Sequence, residues 1–166
     1  MNLRFVDGDL LDQQVDVIVN AWNRNLIPWW LLLPQGVSRS IKRRGGTEPF
    51  REVRRHGLIP LGGAVATGAG RLPFKAIIHV AGINLLWRSS EWSVRQSVRS
   101  ALALARERGY RSIALPLIGA GSGGGRAERV REWMRDELGR LEFDGEVVVV
   151  TYRPKPKVLL PPGEGG

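Results

Sequence analysis

Short, nearly uninterrupted apolar runs separated by longer amphipathic stretches constrain this chain more than any other feature. Runs at Asn2 to Val6, Val15 to Ala21, Gly63 to Thr67, Ala76 to Ala81, Ser112 to Ile118 and Glu146 to Tyr152 have strand length. Several are apolar almost throughout, as expected of strands covered on both faces. Between them, Val37 to Arg43, Thr47 to His56, Ser93 to Arg108 and Ala127 to Leu141 read as helices. The third is the clearest: Val94, Val98, Ala101, Leu102 and Ala105 share one face and Gly109 follows the last turn. Thr47 is a candidate N-cap and Gly57 a candidate C-terminal stop. Strands interleaved with helices give an α/β fold class.

The 166 residues suit one domain. It is assigned here to residues 1–153, with the Pro/Gly-rich segment 154–166 expected to leave the fold as a flexible tail. The stretch NAWNRNLIPWWLLLPQGVS, residues 20–38, raises three readings: membrane anchor, core segment or ligand lid. Its apolar part, Leu26 to Leu33, is far shorter than the ~20 residues of a spanning helix, and Pro28 and Pro34 interrupt it. An anchor is therefore excluded. The N-terminus lacks the order of a secretory signal, so the cytoplasm is the expected location. With no cysteine and two histidines, His56 and His79, far apart in sequence, neither disulfides nor a zinc site is expected. His79 lies within a strand and reads as structural.

The formal charge is +9 and arginine far outnumbers lysine. Such a balance attracts polyanions without specifying which one, so nucleic acid stays open as a partner. The clusters at Lys42 to Arg44 and Arg51 to Arg55 read first as solvated helix faces and second as a binding patch.

Residues 113–132, IALPLIGAGSGGGRAERVRE, describe a strand, a glycine-rich turn and a helix. Glycines let the backbone approach an anion while helix N-terminal N–H groups point at it. An anion site is the preferred reading over a merely flexible loop. Gly125 and Arg126 stand where a P-loop needs Lys and Ser or Thr. Gly119, Gly121 and Gly124 satisfy G-x-G-x-x-G, but only about one strand follows, whereas a dinucleotide fold builds its sheet after an early fingerprint. Asn20 and Asn23, where a strand becomes a loop, could orient sugar hydroxyls or brace the turn's own backbone.

In order along the chain stand Gly8-Asp9-Leu10, Val15 to Asn23, Gly36-Val37, Ser40-Ile41 with Gly45-Gly46, Gly63 to Thr67, Ile77-Ile78-His79 with Gly82, and Pro116 to Gly124. This ordered set resembles the macrodomain family, modules that bind ADP-ribose and in many members hydrolyse ADP-ribosyl or O-acetyl-ADP-ribose linkages. The resemblance covers nearly everything up to Tyr152. It implies a three-layer α/β/α fold with a central mixed sheet of about six strands, a monomer, and no cofactor or metal, ADP-ribose being ligand or product.

The resemblance also implies roles. Asp9, followed by Leu10, matches the acid that accepts from the adenine amino group; its other reading is a turn or helix cap. Asn23 matches the asparagine that holds the distal ribose and is the catalytic candidate, with Asn20 beside it. Gln35, Gly36, Val37 and Ser38 match the end of the first diphosphate loop. Gly119, Ala120, Gly121, Ser122, Gly123 and Gly124 match the second. Tyr152 could stack on adenine or sit at the core's edge.

Three departures stand out. Ile27 to Gln35 replaces the family's glycines, and its Trp29 and Trp30 would form a stiff apolar lid over the reacting end. Ser38 stands where many hydrolytic members carry an aspartate that activates water, and a serine without an adjacent base is a poor proton acceptor. Gly123 stands where the family tends to place an aromatic residue. The implied partner is ADP-ribose or an ADP-ribosylated macromolecule. The implied activity is ADP-ribosyl hydrolysis by positioning water, with a non-catalytic ADP-ribose reader as the alternative.

Overall fold

The computed structural model describes residues 1–24, 36–83, 89–120 and 125–155. Trp29, Trp30, Gln35, Gly121, Ser122, Gly123 and Gly124 lie outside them, as does the tail from residue 156. The strands are β1 (Asn2–Gly8), β2 (Val17–Trp22), β3 (Ala64–Thr67), β4 (Ala76–Ala81), β5 (Ser112–Pro116) and β6 (Glu146–Tyr152). The helices are α1 (Gly36–Gly45), α2 (Glu48–Arg55), α3 (Glu91–Glu107) and α4 (Gly125–Leu138), with one 3-10 turn at Leu10–Asp12.

One six-stranded sheet runs β1-β6-β5-β2-β4-β3. Every neighbouring pair is parallel except β3 with β4, which is antiparallel. Period-2 alternation divides the strand residues between two helical layers. Val17, Val19, Ile78, Ile113, Leu115 and Val149 join the buried cluster of α3 and α4, with Val98, Val130 and Met134. Ile18, Trp22, Ile77, Ala114 and Val148 join the cluster of α1 and α2, with Ile41, Phe50 and Val53. This is the expected three-layer arrangement. Among the described residues no helix is long and apolar enough to cross a membrane.

Several boundaries move for local reasons. β2 begins at Val17, not Val15, because Asp16 is tied by other contacts. Its N–H donates to Ser112 Oγ at 2.7 Å and its carboxylate takes Arg111 N–H at 2.8 Å. β5 stops at Pro116, which has no N–H to continue a ladder. α3 starts at Glu91 because Ser90 and Ser93 form a reciprocal capping box, so Ser93 lies inside the helix. Thr47 occupies the N-cap of α2 but its side chain makes no capping bond; its carbonyl instead accepts Phe50 and Arg51 N–H, both at 3.1 Å. α4 ends at Leu138, and Gly139 to Leu141 wind back in tight turns.

Candidate functional site

The sheet order alone places the sequence candidates together. All five parallel strands end on one edge, which therefore carries Asp9 after β1, Asn23 after β2, Gly119 after β5 and Tyr152 on β6. β2 and β5 are neighbours, yet the chain leaves β2 for the α1–α2 layer and β5 for the opposite layer. A strand-order switch of this kind opens a crevice at the carboxyl ends. The hydrogen-bond register shows it: β2 follows β4 as far as Trp22↔Ala81, and β5 follows β6 as far as Pro116↔Val150. Between β2 and β5, pairing stops after Ile18↔Ala114. The two strands part, and α1 and α4 begin on either side of the gap, at Gly36 and Gly125. Their N-terminal N–H groups and dipoles favour an anion there.

At the β1–β6 side, Gly8 pairs with Tyr152 and Arg153 N–H donates to Gly8 O at 3.0 Å. Asp9 caps the 3-10 turn: its Oδ1 accepts Leu11 N–H at 2.9 Å and its Oδ2 faces Arg44 at 3.5 Å. The capping role is thus realised, and the carboxylate, still about a quarter exposed, keeps lone pairs for a ligand. Arg44 also reaches Asp12 at 3.2 Å, and Lys155 joins Asp12 at 2.8 Å. The Lys155 hydrogen bond, followed by those from Arg44, holds the Asp12 carboxyl below the usual carboxylate range against its partial burial. Leu10 is a core residue, 3% exposed, whereas Tyr152 is 64% exposed and not a core-edge side chain.

Beneath the mouth lies a buried polar chain that crosses four elements. Asn20 and His79 are register partners on β2 and β4, both fully buried. Asn20 Nδ2 meets His79 Nδ1 at 3.1 Å, and His79 Nε2 meets Thr67 Oγ1 at 2.9 Å. Thr67 Oγ1 donates to Gly68 O at 2.9 Å, and Ser38 Oγ donates to Asn20 Oδ1 at 2.8 Å. Trp22 and Phe50 wall the imidazole at ring separations of 6.3 and 6.4 Å. Burial, with a lesser contribution from His56, drives the His79 pKa down to about 3, so the ring is neutral.

That neutrality, together with the Asn20 amide nitrogen that faces Nδ1, sets the donors in the chain. Thr67 gives its proton to the Gly68 carbonyl, so it can only accept from His79, which places the ring proton on Nε2. Nδ1 is then bare and accepts from the Asn20 amide; the amide oxygen accepts from Ser38. The Ser38 oxygen, at the first turn of α1, is left with lone pairs and no proton to offer. Asn20, expected among the ligand contacts, is corrected to a buried support for Ser38, because both ends of its amide are engaged and it is 0% exposed.

Two further groups complete the mouth. Asn23 is 9% exposed, and its Oδ1 is buried without a hydrogen-bond partner among the described residues. A buried acceptor in that state lacks the donor that would offset its desolvation. Gly119 has φ +69°, and a Cβ there would stand 2.4 Å from Ser89 Cβ. Ser89 Oγ donates to Gly119 O at 3.0 Å, while Arg126 holds Ser89 through Oγ at 3.1 Å and its carbonyl at 3.3 Å. Ala120 is buried at 5%, and Val37 packs partly buried against the α1–α2 cluster. Sequence reading missed the Thr67–His79 link and the Ser89–Arg126 clamp. Polar residues recurring on the same face of two apolar strands, Asn20 and His79, were the available sign of the former.

The family model described as Macro domain matches residues 19–134, which contain this crevice and both helix starts beside it. The chain belongs to the Macro domain family. A macro domain-containing protein of Streptomyces griseus is 43% identical over 126 residues, covering 72% of this chain and 68% of that one. A protein of Escherichia fergusonii named O-acetyl-ADP-ribose deacetylase is 39% identical over 162 residues, 90% of this chain and 88% of its own. Among solved structures, a mutant Oceanobacillus iheyensis macrodomain with ADPR superposes with TM-score 0.77 at 26% identity, covering 90% of this chain and 84% of that one. In this macro domain Ser38, at the first turn of α1, lies within the matched residues.

Proposed function

We propose that this macro domain binds ADP-ribose between β2 and β5 and hydrolyses an ADP-ribosyl linkage there, by holding water in place of activating it with a carboxylate. The reading is carried by one observation: a buried Asn23 Oδ1, without a hydrogen-bond partner among the described residues, at the mouth of a gap flanked by two helix N-termini. A diphosphate satisfies the helix ends, and a hydroxyl of the distal ribose satisfies Asn23. The proteins named O-acetyl-ADP-ribose deacetylase at 39% and 40% identity support a hydrolase over other chemistries.

In this mechanism the Ser38 oxygen accepts a hydrogen bond from the attacking water, because its own proton is directed to Asn20. Water adds to the distal ribose as the bond to the leaving carboxylate breaks. The carboxylate leaves with the bonding electrons, and the proton lost by water passes to solvent. Charge developing on the ribose is met by the ligand's own diphosphate and by positioning, which supply the rate in the absence of a base. A modified protein carboxylate presents such a linkage directly. On a modified nucleic acid the group that leaves with the bonding electrons is a phosphate oxygen or a base nitrogen. In O-acetyl-ADP-ribose water adds instead to the acetyl carbonyl, releasing acetate as the ribose oxygen takes a proton. The second reading, a binding module without turnover, is favoured by Ser38 itself, which cannot remove a proton at neutral pH.

Titration calorimetry with ADP-ribose, followed by release assays on glutamate-linked, serine-linked and DNA-linked ADP-ribose, separates the readings. Heat of binding plus release from one substrate is expected. No heat at modest salt overturns both readings, and binding without release leaves the module. Asn23→Ala retaining full turnover would remove Asn23 from the mechanism.

A further inference from the structure

The two helical layers carry the same number of cations and very different net charge. α3 and α4 together hold seven arginines against six carboxylates. These are cross-linked: Arg95 reaches Asp136 at 2.6 Å and Glu91 at 2.8 Å, and Arg99 pairs with the buried Glu137. Residues 36–56, which form α1 and α2, hold seven arginines and lysines against two glutamates, more than half of the chain's +9. Of the two glutamates, Glu52 is engaged by Gly68 N–H at 2.8 Å, and Glu48 lies 3.8 Å from Arg51. Arg39, Arg43 and Arg55 are exposed and have no carboxylate within ion-pair reach among the described residues.

This distribution works against the helices that bear it. Arg39 and Arg43, and again Arg51 and Arg55, are like charges four residues apart. Arg39 also stands in the first turn of α1, where the helix dipole disfavours a cation. The same helix begins at the crevice, so its exposed charge runs directly to the mouth. Ile41 of α1 and Phe50 and Val53 of α2 are buried, and neither helix exposes a large apolar residue. A protein partner needs such anchors at the centre of an interface. A phosphodiester chain does not, since counterion release drives its binding and guanidinium forks suit its phosphates.

We propose that the α1–α2 layer is a nucleic-acid docking face leading into the crevice, so that the ADP-ribosyl group this site receives is carried on a nucleic acid. The inference rests on the crevice binding ADP-ribose, and it is tested so that the two can fail separately.

Fluorescence anisotropy with a labelled single-stranded oligonucleotide across a salt series measures the face. Contacts from Arg39, Arg43, Arg51 and Arg55 give a slope of log K against log salt of about −3, from roughly 0.7 per phosphate. Arg43→Gln/Arg51→Gln/Arg55→Gln is expected to reduce that slope by about 2. The same variant should leave the calorimetric affinity for free ADP-ribose unchanged. An ADP-ribosylated strand should bind at least tenfold more tightly than either the bare strand or ADP-ribose, because one contact raises the effective concentration of the other. No binding of the bare strand at low salt, or an unchanged slope in the variant, overturns the docking face. So does equally tight binding of polyglutamate, which would assign the face to an acidic protein. Equal affinity for modified and bare strands overturns the link to the crevice. Loss of ADP-ribose binding in calorimetry with strand binding intact defeats the proposed function and the link to the crevice, and leaves the docking face standing.

Discussion

Acidification probes the buried polar chain directly. His79 is held near pKa 3 in the folded protein, against an ordinary value of 6.5 in the unfolded chain. Between those values the unfolded state takes up a proton that the folded state refuses, so stability rises with pH and falls as the solution is acidified. The slope approaches 1.4 kcal/mol per pH unit, roughly 2 kcal/mol lost between about pH 6.5 and about pH 5. This window lies above the one in which the carboxylates contribute. Asp12 and Asp16 are lowered by hydrogen bonds from Lys155 and Lys75, and Glu137 is lowered by Arg99 and Arg95 despite its burial. Their stabilising effect is lost only as pH falls through the acid range, below about pH 5. Urea unfolding at half-unit pH intervals, for the native chain and for His79→Gln, separates the two. The native chain should lose stability across the upper window and His79→Gln should stay nearly flat there. A native chain equally stable at both ends of the window would show that His79 protonates in place, and the donor order from Gly68 to Ser38 would no longer be fixed.

Other consequences are open to measurement. Ser38→Ala removes the acceptor offered to water and should lower kcat about tenfold with little change in KM, while Ser38→Thr keeps most activity; a KM effect alone would assign Ser38 to ligand binding. Gly119→Ala places a Cβ against Ser89 at φ +69° and should destabilise the fold by about 1–3 kcal/mol; an unchanged denaturation midpoint would contradict the close packing of that loop. Glu137→Ala leaves Arg95 and Arg99 without their buried partner and should destabilise by about 2 kcal/mol, moderated because Arg99 is half exposed. Thermal or urea unfolding reads it, and a neutral result would show that the α3–α4 network contributes nothing to stability.

The candidate site was legible wherever a residue's role follows from its backbone position. Gly119 and Gly36 were marked as loop glycines, and both have positive φ at the crevice. Asp9 was left between cap and ligand contact; the cap is visible in its bond to Leu11, a short-range interaction any chain ending a strand this way can make. Asn20 was misplaced because an asparagine at a strand end looks the same whether it faces a ligand or a histidine on the neighbouring strand. Only the register with β4 distinguishes them. Ser38 looked like a lost function because the residues that orient its hydroxyl lie on β2, β4 and β3, with Thr67 twenty-nine and His79 forty-one positions beyond Ser38.

By itself the sequence determined the α/β class and the helices' inner faces. These depend on the period of apolar residues along a single segment, which the chain carries locally. It also determined the excess of positive charge, but not where that charge goes unanswered. Tertiary structure decided the rest. Strand order β1-β6-β5-β2-β4-β3 set β2 beside β5, so that two loops far apart in sequence leave a common gap in opposite directions. Packing of α3 on α4 neutralised part of one arginine-rich layer through contacts such as Arg95 with Asp136, while Arg39, Arg43 and Arg55 of α1 and α2 meet no carboxylate within ion-pair reach among the described residues. Hydrogen bonds and close ion pairs form only across a few ångströms, so their outcome depends on which segments the fold brings that close.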